Sequence, residues 1–179
     1  MTDREIWNEA VAVVRDCYLL LPAYQKILVS DVIRSIKKCK EDLYRVTAGI
    51  GSAEICLDCG GECCRTGKYH FTGIDLLAYL ADAQELFDPM FGQQACPYLG
   101  TGGCMMPPEN RPYNCVIFNC DMVEALSGQA ERERMAELER ELRTLYHRFG
   151  ECFGPELTKG LLMAFDHNPC LPTGLFPRG

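Results

Sequence analysis

Met135-Ala136-Glu137-Leu138-Glu139-Arg140-Glu141-Leu142-Arg143-Thr144-Leu145-Tyr146-His147-Arg148-Phe149 is the stretch on which the fold class turns. Met135, Leu138, Leu142, Leu145 and Phe149 recur at steps of three and four, the spacing of one helix face, and Glu and Arg fill the positions between. The pattern spans too few heptads for a self-sufficient coiled coil. The expectation is a helix laid against other helices of the same chain, with a coiled-coil arm or a partner helix as the competing reading.

Its partners are legible at the other end of the sequence. Thr2 with Glu5 three residues on forms a capping-box signal, and Ile6, Ala10, Val13, Cys17 and Leu20 then trace one helix face. Pro22 ends that helix or opens the next. The second helix carries Leu28, Val32, Ile36, Cys39, Leu43 and Val46 on its apolar side, with Lys26, Arg34, Lys37, Lys38 and Lys40 on the rest. Ser30-Asp31 marks a candidate break, and Gly49-Ile50-Gly51-Ser52 stops the helix. Further on, Arg65 to Phe71 reads as a short strand and Thr72-Gly73-Ile74-Asp75 as a second capping box, opening a helix to about Leu86. A last short helix is expected within Pro155 to Phe165, followed by a Pro-Gly-rich tail from Asn168.

The fold expected is therefore mainly α: a helical, bundle-like set from both termini around an irregular central segment, with at most a short β element. One domain spans residues 1–179, divided into N-terminal helices (1–51), a cysteine-rich segment (52–121) and C-terminal helices with the tail (122–179). Residues 88–113 hold five prolines and almost no periodicity. A structureless run of that length needs a staple, and bound metal supplies one because its binding free energy becomes folding free energy.

Cysteine is the abnormal count, at twelve of 179 residues. The first residues lack the basic and apolar regions of a signal peptide, and no stretch is long enough to span a membrane. These features predict a cytoplasmic protein, where clustered thiols point to metal or redox chemistry rather than disulfides. A net charge of −7 argues against a nucleic-acid surface. No nucleophile–base constellation stands out, and Glu139 and Glu141 belong to a solvated helix face.

Two blocks carry the chemistry. The first is Cys56-Leu57-Asp58-Cys59-Gly60-Gly61-Glu62-Cys63-Cys64. The second is Cys96-Pro97-Tyr98-Leu99-Gly100-Thr101-Gly102-Gly103-Cys104, continued by Arg111-Pro112-Tyr113-Asn114-Cys115 and Cys120. A C-x2-C pair turns two thiolates toward one metal, as in zinc knuckles and iron–sulfur loops. The vicinal Cys63 and Cys64 have α-carbons about 3.8 Å apart and, in extended backbone, opposed side chains. They do not readily share one zinc tetrahedron, and eight thiolates match two four-thiolate centres. The expected ligands are Cys56, Cys59, Cys63, Cys64, Cys96, Cys104, Cys115 and Cys120. The expected cofactor is an iron–sulfur cluster, 4Fe-4S in type, or zinc, with iron–sulfur favoured by the geometry.

This order of motifs, C-x2-C-x3-C-C, then C-P-x-L with glycines and a cysteine, then R-P-x-x-C-x4-C, resembles the CxxCxxCC-type cysteine-cluster family of zinc- or iron-chelating domains. The likeness covers Cys56 to Cys120 and implies metal binding through the same eight cysteines. That family is in turn similar, in this cluster, to bacterial enzymes that methylate flagellin lysines, which implies a protein-lysine methylase as an alternative function. Electron transfer, metal handling and a metal-stabilised module for a protein partner complete the readings. His147, Cys152, His167 and Cys170 compose a separate zinc candidate. His70 is placed to reach the centre, and Arg111 to donate to sulfur or to an acidic helix. Cys17 and Cys39 read as small buried hydrophobes.

Overall fold

A computed structural model describes residues 1–59, 62–93 and 95–167, apart from the side chains of Leu57, Glu62, Cys63 and His167. Eight α-helices dominate these residues, and their sheet content is one two-stranded hairpin. The mainly α expectation holds. The helices are α1 (Asp3–Leu20), α2 (Ala23–Gly49), α3 (Ser52–Asp58), α4 (Gly73–Ala81), α5 (Tyr113–Ile117), α6 (Asp121–Leu126), α7 (Gln129–Phe153) and α8 (Leu161–His167). The hairpin pairs β1 (Leu99–Gly100) with β2 (Gly103–Cys104) antiparallel. No helix among the described residues is long and apolar enough to cross a membrane.

The capping box of α1 forms as expected: the Glu5 amide donates to Thr2 Oγ1, and the Thr2 amide donates to Glu5. Helix α7 buries Leu138, Leu142, Tyr146, Phe149 and Phe153, and its main neighbour is α2. It is thus a packed helix rather than a free arm. Helix α2 runs unbroken through Ser30-Asp31, because Val29 and Ile33 are buried on either side and Asp31 pairs with Arg34 instead of capping. Its buried stripe is Val29, Ile33, Ile36, Cys39 and Leu43, so Leu28 stays exposed. Adjacent apolar residues leave a helical period free to choose either, and tertiary contact chose Val29.

Lys40, off the apolar stripe in the sequence pattern, is only 1% exposed and donates to Asp75 at 2.7 Å. Asp75 also accepts from Tyr146 Oη at 3.0 Å and, through its other oxygen, from the Thr72 amide and hydroxyl. A single buried carboxylate therefore ties α2, α4 and α7 together.

Two other expectations are corrected. Glu62–Tyr69 winds as a 3-10 helix, not a strand. Extended pairing comes later, where Thr72 bridges Gly160 and the Leu161 amide donates to the Phe71 carbonyl at 2.6 Å. Helix α4 stops at Ala81 rather than Leu86: Ala83 takes a φ of 52°, and the Gln84 amide turns back to the Tyr79 carbonyl at 2.9 Å.

The irregular central segment is held by an aromatic box. Trp7, Phe71, Phe87 and Tyr98 meet with ring centroids 5.0 to 5.9 Å apart. Tyr98 Oη donates to the Lys68 carbonyl at 3.0 Å. Phe71 and Phe87 between the two cysteine blocks, and Tyr98 within the second, are thereby fastened to Trp7 of α1.

Candidate metal centre

The box and the helices around it fix five short segments around one cavity of about 820 Å³. Helix α3 brings Cys56, the 3-10 helix brings Cys64, the hairpin and its approach bring Cys96 and Cys104, and α5 brings Cys115. Five of the eight expected ligands thus line one space although up to 59 residues separate them in sequence. Cys120 caps α6 backbone-wise and lines a small recess of about 80 Å³, which Cys56 and Cys115 also border. Cys59 is off the cavity wall, its thiol donating to the Cys56 carbonyl at 3.5 Å. The Cys63 side chain and Cys170 lie outside the described residues.

Local rules explain how each thiol is aimed. Pro112 precedes α5, and the Cys115 amide donates to its carbonyl at 2.9 Å, so Cys115 sits one turn into a proline-initiated helix. Cys104 lies opposite Leu99 across the hairpin, whose second strand opens on Gly103 at a φ of 102°. The Leu99 amide and the Gln93 side chain both donate to the Cys96 carbonyl, at 3.0 and 2.9 Å. Gly67 makes room for the sulfur: a Cβ there would stand 2.6 Å from Cys96 Sγ.

The electrostatics follow from this crowding. Cys115 is open to the cavity, yet protein encloses it elsewhere, and burial pushes its thiol well above the ordinary range. The Cys104, Cys64 and Cys96 thiols add to that rise, since neighbouring thiolates repel. Burial likewise pushes Cys96 up to about 11. His70 Nδ1 lies 3.4 Å from Cys115 Sγ, and burial lowers its pKa, favouring the neutral imidazole.

The donor chemistry is soft. Thiols and one imidazole face the cavity, with no carboxylate among the described lining residues. Such a set suits zinc or an iron–sulfur cluster and not magnesium or calcium. The thiols ring the space rather than meeting at a point: among the described residues, no three His, Cys, Asp or Glu side chains form a ready-made metal-holding group.

Some placements were legible and others were not. His147 is exposed and reaches Glu151 at 3.4 Å, an ordinary helix-face pair, while the side chain of His167 falls outside the described residues. Cys39 is buried as expected, its thiol donating to the Leu138 carbonyl at 3.3 Å. Gly67 and Tyr44 join the site without having been singled out. A glycine three residues after Cys64 was the only available signal for Gly67, and Tyr44 on a helix face carried none.

Comparisons with known proteins give no match to the chain, whether with family models, curated proteins or solved structures. The functional reading rests on the cysteine motifs and on the geometry above.

Proposed function

We propose that this chain is a metal-binding protein that holds an iron–sulfur cluster, or zinc in its place, within the thiol-lined cavity. The observation that carries the reading is the convergence of Cys56, Cys64, Cys96, Cys104 and Cys115 on one space. These five, with His70 beside Cys115, are the residues that would hold the group; Cys59, Cys63 and Cys120 belong to the same motifs. A polynuclear centre suits thiols spread around a cavity better than a single zinc does, because Zn–S bonds of about 2.3 Å demand four sulfurs at one point. Bound metal would supply redox chemistry if iron–sulfur and structural or handling roles if zinc.

The protein's own contribution is to aim the thiols, limit water and suppress ionisation until a cation arrives. Crowded thiols resist losing protons to solvent but lose them outright to a metal. A reducing, cytoplasmic setting fits this use of cysteine.

Anaerobic purification with iron, zinc and acid-labile sulfide analysis, beside a visible spectrum, tests the proposal. A charge-transfer absorption that bleaches with dithionite is expected. Cys115→Ser and Cys96→Ser should lower metal stoichiometry, while Cys17→Ala on the α1 face keeps it. Full occupancy in both ligand variants, or a chain that takes up neither zinc nor iron with sulfide, would overturn the reading.

A further inference from the structure

Most arginines with defined side-chain contacts in this acidic protein meet a carboxylate: Arg4 pairs with Asp88, Arg15 with Asp16, Arg34 with Asp31, Arg45 with Glu41, Arg134 with Glu137 and Arg143 with Glu139. Arg111 does not. Among the described residues its guanidinium makes two contacts: Nε donates to the Met106 carbonyl at 3.3 Å, and Cζ lies 5.4 Å from the centre of the Tyr44 ring. Half-buried on the cavity wall, it borders both the large space and the recess beside Cys115. A guanidinium held by one backbone carbonyl and one ring face keeps most of its five donors available and its plane fixed.

Cavities of roughly 300–1,000 Å³ are those that enclose small organic ligands, and this one is about 820 Å³. Besides the sulfurs, its lining holds the apolar side chains of Leu99, Met106, Ile117 and Phe118, and Asn114 adds a polar residue. We infer that the cavity is also a binding site for a small organic anion, its carboxylate or phosphate group on Arg111 and its apolar body against Phe118 and Met106. The inference stands beside the proposed metal centre without depending on it, because the Arg111 end needs no metal.

Calorimetric titration of the chain as isolated anaerobically, with benzoate, phenyl phosphate and the neutral isostere benzamide, tests it. Saturable binding of benzoate or phenyl phosphate is expected, with benzamide silent; which of the two anions binds tighter separates the carboxylate from the phosphate source. Arg111→Gln should weaken binding at least about tenfold, the low end for a hydrogen bond to a charged group. Arg111→Lys should restore part of the affinity, since charge remains while the fork is lost. The inference is overturned if none of the probes binds, if benzamide binds as well as benzoate, or if both variants bind like the parent. It is also overturned if Arg111→Gln and Arg111→Lys both lose metal in step with anion affinity, because the arginine would then serve the sulfurs. A metal-free chain that still binds the anions through Arg111 separates the failure of the metal reading from this one.

Discussion

Lys40 and Asp75 show how much one buried pair can commit a fold. Their exposures are 1% and 0%, and both carboxylate oxygens of Asp75 are taken up by neighbours on other elements or by the α4 cap. Removing the lysine alone leaves a charge with no counterion, so Lys40→Met should cost about 3–5 kcal/mol in denaturant unfolding. At the site, Gly67→Ala puts a methyl 2.6 Å from Cys96 Sγ, a separation the pair must relieve by moving the sulfur. Metal content should fall while far-ultraviolet circular dichroism is unchanged; parent-level metal in that variant would remove Cys96 from the centre. Neither residue was readable in sequence. A lysine among lysines looks solvated, and a lone glycine beyond a cysteine block looks like a turn.

At the scale of elements, periodicity and capping located most of the helices. The Thr2–Glu5 and Thr72–Asp75 boxes begin α1 and α4 where their residues say they should. What failed was decided by contacts from afar. Ser30-Asp31 has the chemistry of a break, but core packing on both sides carries α2 through it. The end of α4 was hidden because alanine, not glycine, occupies the left-handed position at a φ of 52°. That conformation costs an L-residue about 1 kcal/mol. Ala83→Gly should therefore recover a few tenths to about 1 kcal/mol, read as a raised denaturant midpoint at unchanged slope. The gathering of cysteines was legible as motif; the hairpin and 3-10 helix that aim them were not, because two-residue strands and tight turns have no period to detect.

For the whole molecule, buried thiols make stability depend on pH. Burial raises Cys39 from the ordinary 9.0 to about 11, so the folded state keeps its proton where the unfolded chain gives it up. The sign follows: the folded form binds more protons between these values, and stability falls as pH rises from about 9 to about 11. Cys39→Ala should flatten that fall in unfolding curves taken across the window, with metal content unchanged. The sequence assigned the ordering of residues 88–113 to bound metal; Trp7, Phe71 and Phe87 also hold Tyr98, within that segment, by apolar contact. Such an anchor is apolar and needs no metal to hold. On the proposed function, a chain stripped of its metal keeps a helical shell ready to be refilled, a reusable mould and not something cast around the metal once.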